Sequence, residues 1–542
     1  MGQTLYHNGT ILTMEDGKPY VEAVLTEEGR IVGTGSCREL KEQAGPGTYM
    51  ADLEGNVMLP GFIDPHSHFT ACASRTMEAD LENAGSFDDI MRIIREYMVS
   101  RKVSAGQWVQ AANYDHNNLK EGAHPRREML DVAFPHNPVV LKHQSGHMGV
   151  FNTMAMDLMG ITDQTEAPQG GVMEKEEGRL TGYMEENAFL SYQGRIPMPS
   201  AEDFLEAYGR AQELYASCGI TTVQEGLMNI QLLPLYKMLL GSGLLMLDLV
   251  AYMDIKDSNA IRQELSAHEG RYKDHMKLGG CKIFLDGSPQ GRTAWMRSPY
   301  VPVPGGGQAE GYRGYGTLSD EEVLADILKA EAEGMQLLAH CNGDRACQQY
   351  LEGLQAAYAR LEKGGKQESR RGDIRPVMIH AQLLGRDQLR QVKELGIIPS
   401  FFLAHIYHWG DVHIRNFGME RAAHISPAGS ALKEHITFTL HQDSPVIRPD
   451  MLETLWCAIT RRSKSGVVLG ADERIPMWEA LKAVTINGAY QYFEEHEKGS
   501  IAGGNKADVA ILDRNPMETE PEEIRKIRIL AAIKEGQVLW KG

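Results

Sequence analysis

At 542 residues the chain can bury a large core and exceeds what one single-core domain usually holds, so a large domain with a smaller companion is expected. Its formal charge of −18 repels phosphate backbones and anionic lipid, and no basic tract of five or more residues acts against it, so neither nucleic acid nor membrane is expected as a partner. No apolar run reaches the roughly 18 residues of a bilayer span and no charged-then-apolar leader opens the chain, which together predict a soluble, cytoplasmic protein.

The seven cysteines are scattered and form no Cys-x-x-Cys, which suits reduced core thiols rather than a disulfide framework or a zinc ribbon. Residues 1–58 read as short β-type runs (4–6, 10–14, 20–26 and 30–33) separated by turns. The far end, with runs at 507–512, 527–533 and 537–540, has the same texture. Two sets of open strand edges are each an aggregation hazard, and pairing them removes both. The expectation is one small composite β-sandwich built from 1–58 and 497–542, with a catalytic domain over 59–496 between its halves.

That domain opens on Pro60-Gly61-Phe62-Ile63-Asp64-Pro65-His66-Ser67-His68. In an extended strand residues i and i+2 share a face, so His66 and His68 can reach one metal ion together. Read alone, such a pair is more often surface or structural. A long gap over about 70–200 follows and reads as an insertion over the mouth of the domain. Seven further strand candidates alternate with helical stretches, at 219–224, 244–252, 280–285, 336–340, 376–380, 397–403 and 435–440. With the strand before His66 they make eight, which predicts an α/β fold, a (β/α)8 TIM barrel with its active site at the C-terminal strand ends. No Gly-x-Gly-x-x-Gly follows a strand, as an open dinucleotide-binding sheet would require.

Polar residues recur where these strands finish. Lys282 lies inside an apolar strand and shares a face with Phe284 and Asp286. A charged lysine is costly to bury, and an ammonium has no lone pair for a metal. Either it pairs with Asp286, the simpler reading of this strand alone, or it reacts with CO2 to a carbamate able to bridge two metals. His340 and His380 close the fifth and sixth strands, and Asp443 follows the eighth. Each singly is an ordinary core or turn residue; their recurrence at strand ends is what carries weight.

The set of two His on strand one, Lys on four, His on five, His on six and Asp on eight resembles the amidohydrolase superfamily, and the likeness runs along nearly the whole chain. It includes Leu59 to His68 and the closing Lys498-Gly499-Ser500-Ile501-Ala502-Gly503-Gly504-Asn505-Lys506-Ala507-Asp508. Gln144-Ser145-Gly146-His147, Lys282 to Gly287, Asn342 to Ala346 and Asp443 to Val446 are similar to the branch containing N-substituted formamide deformylases. The resemblance implies that His66, His68 and Asp443 bind one divalent metal, that His340 and His380 bind a second, and that a carbamylated Lys282 bridges them. Zn²⁺ suits this donor set, with Mn²⁺, Fe²⁺ or Co²⁺ as alternatives. Metals lower the pKa of water towards neutrality, giving a hydroxide nucleophile, and Asp443 would carry its proton to the leaving amine.

The expected function is metal-dependent hydrolysis of non-peptide carbon–nitrogen bonds in a small-molecule substrate, either linear amides or N-substituted formamides. The alternatives are a mononuclear deaminase of a cyclic amidine, which would not need Lys282, and a non-catalytic binding relative. A homodimer is a family-level expectation. Trp108, His143, His147, Trp295 and His405 are expected to line a pocket for an apolar or aryl N-substituent, together with Tyr114 and His408. His441 shares a face with Asp443 and either orients it or meets substrate. The glycine-rich stretch 304–316 reads as a surface loop or a mobile lid.

Overall fold

The computed structural model describes residues 2–144, 147–197, 199–302, 310–363 and 373–542. They form two compact units, one made of the chain up to Thr70 together with Ala211–Gly542, the other of Ala71–Arg210. Among the described residues no helix is long and apolar enough to cross a membrane.

The first unit is organised by an eight-stranded sheet. Its strands are β1 (Phe62–Ile63), β2 (Ile220–Met228), β3 (Asp248–Asp254), β4 (Met276–Phe284), β5 (Gln336–Cys341), β6 (Val377–His380), β7 (Ile398–Phe401) and β8 (Thr439–Leu440). They lie side by side in chain order and every neighbouring pair is parallel. β1, β6, β7 and β8 are buried throughout, as apolar strands covered on both faces should be. The sheet curls far enough for its first and last strands to meet beyond their ends. There the His68 N–H donates to the Ser444 carbonyl (2.7 Å) and the Asp443 N–H to the His66 carbonyl (3.2 Å).

Two strands begin four residues later than expected, each for a local reason. The approach to β3 is not paired from 244, because the Gln212 side chain accepts the N–H groups of Met246 (2.7 Å) and Leu247 (3.2 Å). β8 is only two residues long because the N–H groups of His435 and Ile436 bond back to the Leu432 and Ala431 carbonyls of the preceding helix Ala428–Lys433.

The two ends of the chain share one sheet. Val57–Pro60 pairs in parallel with Thr10–Leu12 on one side and antiparallel with Val509–Leu512 on the other, in a six-stranded sheet completed by Ile529–Lys534, Gln537–Lys541 and Tyr20–Val21. A four-stranded sheet of N-terminal strands contributes to the same core, where Tyr6, Val24 and Ile31 meet Met58, Ile501, Val509 and Ile533. These terminal sheets fall in the same compact unit as the eight-stranded sheet. An ion network joins them: buried Asp248, at the start of β3, lies within 3.5 Å of the ammonium groups of Lys498, Lys506 and Lys534. Burial alone would raise its pKa, but the lysines and a hydrogen bond with His275 hold it well below the usual carboxylate range.

The Ala71–Arg210 unit has its own six-stranded sheet, ordered Gly171–Glu176, Arg179–Glu185, Met148–Phe151, Val139–His143, Val109–Tyr114 and Ala79–Asp80. Two apolar clusters serve it. One contains Ile90, Ile94, Val109, Leu130 and Leu141, and the other contains Val140, Phe151, Met184 and Phe189.

Removing one member of a buried ion network strands its partners. Lys498→Ala is therefore expected to destabilise the protein by about 3 kcal/mol, read as a lower urea midpoint at unchanged slope; an unaltered midpoint would contradict the role given to the network.

Candidate metal centre

In a parallel sheet of this kind all strands finish at one edge, and the six strand-end residues named from sequence meet there. His66 Nε2 lies 3.4 Å from Asp443 Oδ1, and His68 Nε2 lies 3.5 Å from the same oxygen. His380 Nε2 is 3.8 Å from Asp443 Oδ2. Lys282 Nζ is 3.3 Å from His66 Nε2, and the rings of His340 and His380 are centred 4.6 Å apart.

The orientation of His66 follows from its neighbours. Gln224 Nε2 donates to the Pro65 carbonyl (2.7 Å), which turns Gln224 Oε1 towards His66 Nδ1 at 2.6 Å. Nδ1 must then carry the hydrogen, leaving a lone pair on Nε2 facing Asp443 and Lys282. Gly226 makes room for this ring, since a Cβ there would lie 2.7 Å from His66 Cε1. His68 Nδ1 sits 3.7 Å from Glu225, a buried carboxylate that accepts from Tyr236 Oη (2.5 Å) and the Thr70 N–H (2.9 Å). Burial opposes charge on His68, but Glu225 and Asp443 outweigh it and raise its pKa.

Lys282 is buried and its pKa is pushed down to about 7 by loss of solvent, with Asp443 acting against the shift. The ion pair with Asp286 that its strand alone suggested is not formed in this way. Asp286 instead accepts the N–H groups of Asn342 (2.9 Å), Gly343 (2.7 Å) and Trp295 (2.9 Å). It thereby pins the loop after β5 to the segment after β4. Gly343 is needed in that junction, because a Cβ would lie 2.0 Å from the Trp295 carbonyl oxygen.

His441 turns away from the role of orienting Asp443. Its Nε2 lies 3.0 Å from His380 Nδ1, and its Nδ1 lies 2.8 Å from Ser400 Oγ on β7, so it orients His380. Burial, with Lys282 and other imidazoles nearby, drives the pKa of His441 well down, and the same causes act on His66 and His380. Neutral imidazole is the form that binds metal. His380 (φ 70°) and Asp443 (φ 54°) both hold left-handed backbone conformations, which non-glycine residues seldom adopt and which cluster at functional sites.

One buried atom bears on what the cluster can hold: Asp443 Oδ1 is shut from solvent without a hydrogen-bond partner among the described residues, whereas His340 Nδ1 faces Asp286 Oδ1 at 3.3 Å. Burial raises the Asp443 pKa for the same reason. Ligand atoms of His66, His380 and Asp443 lie within 4.8 Å of one another, with His68 Nε2 3.5 Å from Asp443 Oδ1, and one cation satisfies several at once. The residues present fit a divalent metal.

The sequence model of the amidohydrolase family matches residues 50–540. The chain belongs to the amidohydrolase family. This amidohydrolase is 26% identical to N-substituted formamide deformylase of Arthrobacter pascens, over 98% of this chain and 97% of that protein. Protein LONG AFTER FAR-RED 3 of Arabidopsis thaliana is 27% identical over 99% of this chain and 91% of its own. The crystal structure of an uncharacterized metal-dependent hydrolase from Pyrococcus furiosus shares the fold, with TM-score 0.74 and 24% identity over 95% of this chain and 100% of that one. The amidohydrolase is thus an enzyme, a hydrolase of carbon–nitrogen bonds.

The residues expected to face substrate belong to both units. Trp295 lies beside the ligand cluster's own loops, where Arg345 stacks on its ring at 4.8 Å. His405 is buried against Phe402, Trp409 and His413, with Nδ1 2.6 Å from His413 Nε2. His408 bonds Glu453 (2.8 Å). Trp108, Tyr114, His143 and His147 belong to the Ala71–Arg210 unit. There Trp108 packs on an apolar cluster, Tyr114 is buried, and His147 sits 3.1 Å from Glu186. Ser145, Gly146 and the start of the 304–316 loop lie outside the described residues. Sequence reasoning missed Gln224 and Glu225, although two adjacent polar residues inside the apolar run of β2 were a usable signal.

His441→Ala is expected to leave the fold intact and weaken metal binding roughly tenfold to a hundredfold, the usual cost of losing a ligand's supporting partner, in a chelator competition assay; unchanged affinity would show that His380 needs no such support.

Proposed function

We propose that this amidohydrolase cleaves a linear carbon–nitrogen bond, in an N-substituted formamide or a related amide, at a centre holding two divalent cations. His66, His68 and Asp443 bind one, His340 and His380 the second, and Lys282 joins them as a carbamate. The donor set suits Zn²⁺. The eight-stranded sheet is taken as a closed (β/α)8 barrel, with a composite β-sandwich from 1–58 and 497–542.

The observation that carries this reading is Lys282. A lysine held near pH 7 by burial keeps a large neutral fraction, and only neutral Nζ can add to CO2, forming the N–C bond and releasing a proton. It stands 3.3 Å from His66 Nε2 and engages no carboxylate in a hydrogen bond among the described residues. The likeness to N-substituted formamide deformylase over almost the whole chain supports the substrate class.

When bound, the cations lower the pKa of water towards neutrality and polarise a carbonyl. Asp443, which would hold a cation through Oδ1, takes up the proton of the attacking water on its other carboxylate oxygen and returns it to the leaving nitrogen. Burial, which raises its pKa, makes that proton easier to hold. Glu225 and Gln224 keep His68 and His66 in register, and the His441–Ser400 pair does the same for His380.

A second reading is favoured by the tight group of His66, His380 and Asp443, whose ligand atoms lie within 4.8 Å of one another and could serve a single ion in a deaminase. Metal analysis separates the two. Wild type is expected to hold two metals per chain and Lys282→Ala one or none; one metal in both would remove the bridge. Turnover of N-substituted formamides is expected to fall by about 10² to 10⁴ in Asp443→Asn, and release of ammonia from a cyclic amidine with no action on formamides would favour the deaminase.

A further inference from the structure

The Ala71–Arg210 unit contains a second convergence of ligand atoms that the strand-end centre does not use. Val109–Tyr114 and Val139–His143 are adjacent parallel strands, with Tyr114 in register with His143. Both strands finish at the same edge, so Asp115 and His116, just past the first, meet His143, the last residue of the second. His116 Nδ1 is 3.2 Å from His143 Nε2. Asp115 Oδ1 is 3.7 Å from the first nitrogen and 3.5 Å from the second.

These three separations form a triangle of the size that metal coordination demands. Donor atoms about 2.0 to 2.2 Å from a tetrahedral Zn²⁺ stand roughly 3.3 to 3.5 Å apart. A hydrogen bond between the two imidazoles would use one N–H and one lone pair, while Asp115 accepts from the neutral amides of Asn117 and Gln144. A cation uses a lone pair from each ring and neutralises the carboxylate as well.

We infer that Asp115, His116 and His143 form a binding site for one divalent transition-metal ion, Zn²⁺ or a metal of similar preference. The three donors make a two-histidine, one-carboxylate set that leaves a coordination position open. The surroundings support each donor. Asp115 is fixed by the Asn117 N–H and Nδ2 on Oδ1 (both 2.9 Å) and by Gln144 Nε2 on Oδ2 (2.6 Å). The His124 ring lies 4.1 Å from that of His116 and is itself held by Tyr114 Oη at 3.0 Å from its Nδ1. His143 is buried, while His116 retains 30% exposure and gives the ion a way in. Burial lowers the pKa of His143, which favours the neutral, ligating form.

The full-length protein, stripped with a chelator and reloaded, provides the test. With Co²⁺, His143→Cys is expected to show a cobalt–thiolate charge-transfer band that wild type lacks; a folded variant without it would overturn the site. In wild type, Zn²⁺ is expected to slow diethyl pyrocarbonate modification of His116 several-fold while exposed His136 and His496 react as before. Equal modification of His116 with and without Zn²⁺ would overturn the proposal even if the cysteine variant fails to fold.

Discussion

A carboxylate closed off from water is costly unless a proton or a cation compensates it. Asp443 is in that position: one of its oxygens has no hydrogen-bond donor among the described residues, and two of its neighbours, His66 and His380, are imidazoles whose pKa values burial has pushed down. The imidazoles are constrained in turn. Gln224 fixes the tautomer of His66 so that its free lone pair faces the carboxylate, and His441 and Ser400 hold His380. The outcome is a pocket of electron pairs assembled by rigid strands, which is what a metal-dependent hydrolase requires of its protein.

The scaffold places those pairs with little freedom. Because the eight strands run parallel and in chain order, residues separated by hundreds of positions share one edge, and the first and last strands are tied together by backbone hydrogen bonds at His66, His68, Asp443 and Ser444. Left-handed backbone at His380 and Asp443 is tolerated there because the surrounding structure over-determines it. Away from this edge the three lysines around Asp248 bind the C-terminal segment to the start of β3.

Much of this was legible in the sequence, for a physical reason. A polar residue at the end of an apolar strand is conspicuous, so His66, His68, Lys282, His340, His380 and Asp443 stood out, and the alternation of strands and helices pointed to the sheet that gathers them. What escaped were partnerships between residues distant in sequence. The competition of Gln212 for the amides before β3, the use of Asp286 to pin two loops rather than to pair with Lys282, and the turn of His441 towards His380 depend on neighbours that no local pattern identifies. Residues 70–200 read only as an insertion because their strands are interrupted by short helices and turns. Asp115 and His116 become ligands in prospect only when the next strand brings His143 beside them.

The central claim is that positive charge from a metal completes the Asp443 cluster. Anomalous X-ray diffraction at the zinc edge, on crystals equilibrated with Zn²⁺, tests it most directly. The account predicts an anomalous peak about 2.0 to 2.2 Å from Asp443 Oδ1 and from the Nε2 atoms of His66 and His68. Zinc-equilibrated crystals with no anomalous density between these three residues would contradict it.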